Sequence, residues 1–507
     1  MKKLAVTAVI IAGMAFSHAD AFAQYKTANA PEDAPKSESE LILEEAALSE
    51  TPVIITLEQA LQIALSENVS VKVADMEIQR AQYAKKGSYA ALFPQIDATG
   101  AYQRTIKKQV MYMDFDMSSI MGGAGGEGTE LPDGVELPDG VEIPESGEGA
   151  APGGSDNGGG LEVGRWNTWS AGVSAAMPLV NAQLWSSLKI SGMDVELAVE
   201  KARASRLDMV TQVKNAYFGT LMAKEAFNVY KEVYENAMKN YEETQKKFDA
   251  QKTSEFEFVR AKTSVANAVP NVYNAESSVI LALWQLKAVL GVDLDMNIDV
   301  AGALSDYAQH MLYDIHQHEE ISLTNNSAVK QLAIQTEMLA ETVKLQKYAA
   351  LPTLAASFNF ALMSMDNDFK NMPISPYSTV GVSLSIPIFA GGKRYQAIRQ
   401  AKNQYEQVKL QAENTERQLM IAVRQSLNTM EMNMKSYYAA QNAVASAQKA
   451  YDIAQASYEA GMSTLTELND AQLALTQTRL SEYQAIYNFV TAKAQLEQTI
   501  GEEVNAE

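Results

Sequence analysis

Three of the four histidines lie in one short segment and are the first candidates for chemistry. They are His310, His316 and His318, and Asp314 and Glu319 lie among them. Imidazole and carboxylate groups together suit Zn²⁺ or Cu²⁺. A plain connecting loop is the simpler place for these residues, and we favour it over a metal site.

A second candidate site is a run of methionines. Met111, Met113 and Met117 carry thioethers, which are soft ligands for copper. Tyr112 and Phe115 lie between them, so we favour apolar packing at the end of a strand.

Groups for catalysis are missing from the sequence. The chain has no cysteine, which excludes disulfides, thiolate metal sites and cysteine nucleophiles. The serines follow helical or strand patterns without a nucleophile elbow, and neither a phosphate loop nor a pair of catalytic carboxylates is present. We therefore expect no enzymatic activity and no cofactor.

The charge balance narrows the class of partner. The chain has 41 Lys and Arg against 62 Asp and Glu, a net charge of −21. Nucleic-acid binding needs clustered cations, so we expect no such partner. The hydrophobic fraction of 47% is enough for a folded core.

The N-terminus resembles an export signal. Lys2 and Lys3 precede the apolar run 4–16, and Ala21 and Ala23 frame a small-residue cleavage site. We predict a signal peptide over 1–23. No later run of eighteen apolar residues is present, so any membrane contact must be made by β-strands.

Two segments have compositions that do not bury a core. The acidic stretch 24–51 predicts a flexible extension, and 502–507 is a short tail. The segment 121–164 is rich in Gly, Pro, Asp and Glu and repeats 131–136 as 137–142. We predict a mobile loop there.

Helical periodicity dominates the rest. A helix is predicted from Thr56 to about Leu92, stopped by Pro94. A much longer helix is predicted over 186–250, about 95 Å at 1.5 Å per residue. Apolar and small residues follow its whole length at spacings of four and three, which is a coiled-coil seam. The seam residues are Met209, Val213, Ala216, Thr220, Ala223, Phe227, Tyr230, Tyr234, Ala237, Tyr241, Thr244 and Phe248.

The chain then turns at 251–254 and returns as a helix to Leu290-Gly291, which Pro270 should kink or divide. A second seam has the same spacing. Its residues are Val423, Leu427, Met430, Met434, Tyr437, Gln441, Val444, Gln448, Tyr451, Gln455 and Tyr458. That helix follows Gly391-Gly392 and turns near Gly461.

Four segments alternate with a period of two instead. They begin near Ile96, Trp169, Leu354 and Val380, and each is about ten to twelve residues long, the length of a tilted membrane strand. Four strands cannot close a barrel, because about eight is the practical minimum. Three chains would give twelve strands and a wet pore, whereas two would give a narrow, filled one. A soluble β-domain is disfavoured because very long helices follow the strands directly.

The pattern occurs twice. Phe248 and Tyr458, and likewise Leu290 and Ile500, are separated by 210 residues. We predict a first repeat over 52–291, a linker over 292–326 and a second repeat over 327–501.

Several local motifs carry a resemblance to a known family. They are Thr56-Leu57-Glu58-Gln59-Ala60, Phe93-Pro94-Gln95-Ile96, the run from Ser385 to Gly392, and the run from Tyr458 to Ala471. In their order and duplication they are similar to the TolC family of outer-membrane efflux proteins. The resemblance covers about 56–501.

The resemblance implies a homotrimer with a 12-stranded barrel in the outer membrane, four strands per chain, that continues into a long periplasmic α-helical barrel. The family implies a passive exit duct. Its partners are outer-membrane lipid, a periplasmic adaptor (membrane-fusion) protein and an inner-membrane pump.

The resemblance also implies functional residues at the helical tips. Glu467 and Asp470 match the acidic rings of the entrance, where three copies would favour cations. Tyr458 matches a residue that holds the closed state, but Ser463 replaces the usual basic partner. Lys252 or Glu257 is expected to pair across subunits instead.

The same tip is expected to meet the adaptor, through Gly461, Thr464 and Leu465. Small-molecule efflux is favoured over type I protein secretion. The alternative function is a trimeric coiled-coil surface protein without transport.

Overall fold

The computed structural model describes residues 42, 46, 51–111, 161–311, 322–367 and 373–502. The predicted signal peptide, most of the acidic extension, and residues 503–507 of the tail lie outside this part of the chain. So do His316 and His318, and Met113 and Met117.

Seven long or medium helices and eight strands make up the described chain. The helices are α1 (Leu57–Glu67), α2 (Val69–Ala90), α3 (Ala182–Asp249), α4 (Glu255–Leu290), α5 (Ser327–Tyr348), α6 (Lys393–Glu459) and α7 (Leu465–Ile500), with a 3-10 helix at Leu304–His310. The strands are β1 (Val53–Ile55), β2 (Gln95–Arg104), β3 (Gln109–Met111), β4 (Leu161–Val163), β5 (Asn167–Val180), β6 (Ile298–Val300), β7 (Thr353–Asp366) and β8 (Ser375–Ser385).

The chain divides into two units. The sheet unit contains 79–197 and 333–410, and the helical unit contains the N-terminal part to 78, 198–332 and 411 onward. The long helices α3 and α6 contribute residues to both.

The sheet unit contains the four predicted strands, which are confirmed. They form one antiparallel sheet in the order β2-β5-β7-β8. Every residue of β2 and β8 is exposed. Within the described chain, β2 and β8 each pair on one side only, so the two edges of this sheet keep unpaired backbone groups.

A separate two-stranded pair lies between β2 and β5 in the chain. β3 pairs antiparallel with β4, so residues 161–163 of the loop predicted over 121–164 form a strand, and its residues 121–160 lie outside the described part of the chain. Leu161 and Val163 flank Glu162, which is a strand alternation too short to stand out in the sequence.

The helix predicted from Thr56 to Leu92 is two helices. Thr56 caps α1 with a capping box to Gln59, as expected. Asn68 then adopts an extended conformation (φ −64°, ψ 132°) and separates α1 from α2. Its side chain accepts a hydrogen bond from the backbone N–H of Ser70, which offers the backbone an alternative to helix.

Pro270 was predicted to kink or divide the returning helix, and the division is wrong. The helix α4 runs without interruption from Glu255 to Leu290. Pro270 is exposed, and so is Ala266, whose carbonyl loses its helical partner. Because that carbonyl can be hydrated, one missing hydrogen bond does not end the helix.

The predicted seams lie against other parts of the protein. No seam residue of α3 is exposed, and Gln441 is the exposed exception in α6. Tyr217, beside the α3 seam, anchors the main core. Its phenol donates to the carbonyl of Ala301 at 2.7 Å, and burial raises the pKa of Tyr217.

The main core also contains a parallel strand pair that the sequence did not predict. β1 pairs with β6 in the helical unit, Val53 beside Ile298 and Ile55 beside Val300. Ile55 is fully buried. Strands of three residues are too short to show a period, so only the packed structure defines them.

Candidate functional site at the helical turns

The two long hairpins end in turns of the same construction. Gln251 (φ 57°) and Gly461 (φ 76°) occupy the same left-handed position, 210 residues apart. The N–H of Lys252 donates to the carbonyl of Lys247 at 2.7 Å, and that of Met462 donates to Ser457 at 2.8 Å. These are Schellman bonds, which satisfy the last carbonyls of a helix.

The returning helices begin with matching caps. The Ser254 hydroxyl accepts from the N–H of Glu257 at 3.2 Å, and the Thr464 hydroxyl accepts from the N–H of Glu467 at 3.4 Å. The Glu467 carboxylate in turn accepts from the N–H of Thr464 at 2.9 Å. Glu467 is therefore one half of a capping box, a structural role additional to its predicted place in the entrance ring.

Asp470 lies one turn further along α7 and is exposed, as is Glu467. At the corresponding place in the first repeat are Glu257 and Arg260, whose charged atoms are 4.0 Å apart. The first tip thus pairs Glu257 with a cation of its own helix, although Glu255 is a further acidic residue there. At the second tip, α7 has no Lys or Arg before Arg479, so Glu467 and Asp470 have no neighbouring cation on their own helix.

Tyr458 joins the ends of α6 and α3. Its phenol oxygen lies 2.9 Å from the hydroxyl of Thr244, and both side chains are buried. The ammonium of Lys247 lies 5.3 Å from the centre of the Tyr458 ring. This cation–π contact and the hydrogen bond hold the two hairpins together beside their turns.

A small tip core packs beneath these contacts. Its buried residues are Ala261, Tyr451, Tyr458, Leu465, Leu468 and Leu475. Leu465 is 1% exposed and belongs to this core, whereas Gly461 and Thr464 are exposed. Lys252 is exposed as well and has no ion-pair partner among the described residues.

A polar groove lies beside the tip core, between α3, α4 and α7. Its volume is about 400 Å³, and its polar lining includes Asn240, Arg260, Asn267, Asn271, Asn469 and Gln472. These residues do not stand out in the sequence. The one-turn spacing of Asn267 and Asn271 was the available signal.

A partly buried polar network was also missed. The Arg479 guanidinium donates to the Glu232 carboxylate and, at 2.8 Å, to the side-chain oxygen of Gln448. Gln448 is a seam position, so its polar side chain has a structural partner. Burial raises the pKa of Glu482 nearby, and the positive charge of Arg479 opposes that rise.

The residues considered as metal ligands are described only in part, because most of them lie outside the described chain. Among the residues that the structure describes, no three His, Asp or Glu side chains come close enough to hold a metal ion. Of the candidates, Met111 ends β3 and His310 ends the 3-10 helix. The described helices include none that is long and apolar enough to cross a membrane.

A membrane-length sheet joined to long, duplicated helical hairpins defines a class of channel proteins rather than enzymes. The model of the outer membrane efflux protein family matches residues 146–292 and 320–502, and this chain belongs to that family. The predicted TolC-like fold is confirmed. The protein is located in the outer membrane, with its helical part in the periplasm, as predicted.

Two individual relatives are an outer membrane protein and a secretion protein. The chain is 22% identical to outer membrane protein TolC of Vibrio cholerae over 342 residues, 66% of this chain and 76% of that protein. It is 21% identical to the alkaline protease secretion protein AprF of Pseudomonas aeruginosa, over 65% of this chain and 69% of that one.

Solved structures share the fold. The Campylobacter jejuni CmeC outer membrane channel superposes with a TM-score of 0.63 and 18% identity, covering 93% of each chain. CusC superposes with a TM-score of 0.64 and 15% identity, covering 93% of this chain and 99% of CusC.

Proposed function

We propose that this protein is the exit duct of a tripartite efflux system. It passively exports small molecules that an inner-membrane pump delivers through a periplasmic adaptor. The observation that carries the proposal is the pair of matching long hairpins, α3–α4 and α6–α7, each ending in a capped turn. Family membership supports the same role.

We further propose a homotrimer with a 12-stranded barrel. The unpaired edges of β2 and β8 support it, because backbone groups in lipid need partners and a second chain supplies them. The exposed fractions of Val380, Val382 and Leu384 are 81%, 66% and 61%, as expected for side chains that face lipid.

The gate is proposed to lie at the second turn. Asp470 is the stronger ring residue, because Glu467 already accepts a hydrogen bond inside its own capping box. Three copies of Asp470 would place a ring of carboxylates at the entrance, which favours cations. Lys252 and Glu257 remain candidates for pairing across subunits, and Tyr458 for holding the hairpins together.

The adaptor is proposed to meet the exposed turn at Gly461 and Thr464. Leu465 is buried in the tip core, so its side chain is available to an adaptor only if that core opens. The neighbouring polar groove offers side-chain amides for hydrogen bonds with a docking helix.

Deleting the gene and measuring susceptibility to dyes, detergents and antibiotics tests the efflux role. Increased susceptibility that the intact gene restores is the expected result. A Tyr458 and Asp470 double variant that inserts in the membrane but fails to restore resistance would connect the phenotype to the turns. Unchanged susceptibility, with no secreted protein lost, would contradict any duct.

Type I protein secretion is the second candidate. It is supported by the similarity to AprF, which is named as an alkaline protease secretion protein. The same deletion strain distinguishes the two functions. Loss of a protein from the culture medium with unchanged drug susceptibility would favour secretion over efflux.

A further inference from the structure

The four junctions between sheet and helices lie along one end of the sheet, where all four strands meet helices. This row of strand ends is the junction edge, and it differs from the side edges at β2 and β8. Register brings Gln95 beside Ala176, Val180 beside Leu354, and Thr353 beside Ser385. The end of α2, the start of α3, the end of α5 and the start of α6 therefore adjoin the same edge. Because the sheet is in the outer membrane and the helices are periplasmic, this edge faces the periplasmic leaflet.

Cations are concentrated at this edge. The span 386–405 contains Lys393, Arg394, Arg399 and Lys402 and no Asp or Glu. The span 78–96 likewise contains Arg80, Lys85 and Lys86 and no acidic residue. This positive region is unusual in a chain whose net charge is −21.

The cations also stand where a helix disfavours them. The first turn of α6 has no acidic residue and instead contains Lys393 and Arg394. The N-terminus of a helix carries partial positive charge, so cations there are unfavourable unless an external anion compensates them. In α5, Glu341 is already engaged, accepting from Lys189 at 2.5 Å and Lys344 at 2.8 Å. Glu196 and Glu337 line the same cavity as Lys85 and Trp185, so the uncompensated cations are those at the start of α6.

Large aromatic side chains are exposed beside these cations. The exposed fractions of Phe93, Trp185 and Phe389 are 65%, 62% and 87%. The guanidinium of Arg399 lies 5.0 Å from the Tyr395 ring centre, so cation and aromatic ring share one surface. Aromatic and basic residues together are typical of a membrane interface. This surface, Lys85, Lys86, Trp185, Lys393, Arg394 and Arg399 with their aromatic neighbours, is the junction collar.

We propose that the junction collar binds anionic glycerophospholipids of the periplasmic leaflet. A net negative headgroup compensates the cations, whereas a zwitterionic headgroup brings its own ammonium group. The collar is continuous with the lipid-length sheet, so acyl chains and headgroups meet matching surfaces. In the proposed homotrimer, copies of the chain already adjoin through β2 and β8. A further copy on the outer face of the collar is the less favourable occupant, because it brings the same cations and like charges repel.

The test is fluorescence quenching of Trp185 in the full chain reconstituted into phosphatidylcholine vesicles. Brominated phosphatidylglycerol or brominated phosphatidylcholine is added at equal mole fraction, and the Trp185→Phe variant gives the background. We expect quenching to report a preference of about threefold or more for phosphatidylglycerol at low salt. The preference should disappear near 1 M salt, where the screening length is about 3 Å.

Two matched variants separate the collar from general charge effects. The collar variant K85Q/K86Q/K393Q/R394Q should lose the preference. The control variant K409Q/R417Q/R424Q/K449Q removes four exposed cations from α6 away from the sheet and should keep it. Both should give the wild-type oligomer by native mass spectrometry.

Three results would overturn the proposal. They are equal quenching by the two lipids in the wild-type protein, a preference that persists in the collar variant, and an equal loss in both variants. If the collar variant falls apart into monomers while the wild-type protein shows no lipid preference, the collar is instead a contact between copies.

Discussion

The side-chain amide of Asn326 donates a 2.7 Å hydrogen bond to the carbonyl oxygen of Thr499. Its side-chain oxygen accepts at 3.0 Å from the N–H of Val329. One buried side chain therefore satisfies the C-terminal end of α7 and the N-terminal end of α5. The left-handed Gly501 allows this close approach, because a β-carbon there would lie 2.3 Å from the carbonyl oxygen of Asn325.

Asn68 repeats the arrangement in the first half of the chain. Its amide donates to the carbonyl of Val289 at 2.7 Å, and its oxygen accepts from Ser70 at 2.7 Å. The two asparagines are 258 residues apart, the same offset as Pro94 and Pro352. The duplication thus preserves the bond to the helix carbonyl, while the N–H that the side-chain oxygen accepts from shifts from the second residue after Asn68 to the third after Asn326.

Replacing Asn326 should destabilise the end of α7. Asn326→Ala leaves a buried carbonyl and a buried N–H without partners, which should cost about 1–3 kcal/mol. Asn326→Ser keeps a capping oxygen but is too short to reach Thr499, so it should cost less. Hydrogen exchange of the last turn of α7 measures both. The exposed Asn403→Ala is the control, and equal protection in N326A and N403A would contradict the capping role.

Gln251 should be replaceable by glycine with a gain. Its positive φ costs a side-chain-bearing residue about 1 kcal/mol, so Gln251→Gly should protect the first turn by about that amount. Gln407→Gly, at an exposed helical position, should instead destabilise its helix. Amide hydrogen exchange around each site shows whether the substitution increases or decreases local stability. Opposite effects are expected from the same substitution, and loss of protection in Q251G would disprove the strain.

Tyr458 and Thr244 should be energetically coupled. Tyr458→Phe and Thr244→Val each remove the hydrogen bond between them, so the double variant should lose less stability than the two single losses together. The coupling should be about 0.5–1.5 kcal/mol. The rate of proteolysis at the turns under native conditions measures the free energy of local unfolding at the tip. Tyr273→Phe, at an exposed position, is the control, and strict additivity would refute the contact.

Glu482 should make stability depend on pH. Burial raises the pKa of its carboxyl, so the neutral form is favoured in the folded protein. The neutral carboxyl therefore stabilises the fold fully below the ordinary glutamate pKa of about 4.3, and this stabilisation is lost as pH rises through the raised pKa. Glu482→Gln should therefore be more stable than wild type at pH 7 and no more stable near pH 3. Thermal unfolding at the two pH values decides, and a pH-independent difference would contradict the assignment.

Asp470 should control ion selectivity. Asp470→Asn should reduce cation preference in planar bilayers, because it removes one carboxylate per chain from the proposed ring. Glu467→Gln should change selectivity less and should weaken the start of α7, since it removes half of a capping box. Asp194→Asn, an exposed change distant in sequence from the turns, should leave the channel unaltered. Unaltered selectivity in D470N would exclude it from the entrance.

Periodicity predicted the large elements well. The seams of α3 and α6 and the four long strands were readable because a pattern repeated over ten or more residues reports a continuously buried or lipid-facing side. Short pieces were not readable. β1 and β6 have three residues each, and their pairing joins segments that are more than two hundred residues apart.

The turns show the same division at the level of single residues. The turn at Gly461 was predicted from local sequence alone, whereas Thr464 was assigned to adaptor contact and not to the helix cap that it forms. That the Glu467 carboxylate closes a capping box, and that Leu465 is buried, depends on how the side chains are oriented once the hairpin has formed.

The sequence by itself determined the duplicated order of elements, the family and the location, because each rests on patterns along the chain. The tertiary structure decided which residues meet across the chain. It placed Asn68 and Asn326 at the helix ends and joined Tyr458 to Thr244. It also brought the residues of the junction collar together at the end of the sheet where the strands meet the helices. Hydrogen bonds and surface charge act through space, so residues hundreds of positions apart acquire a common role only when the chain is folded.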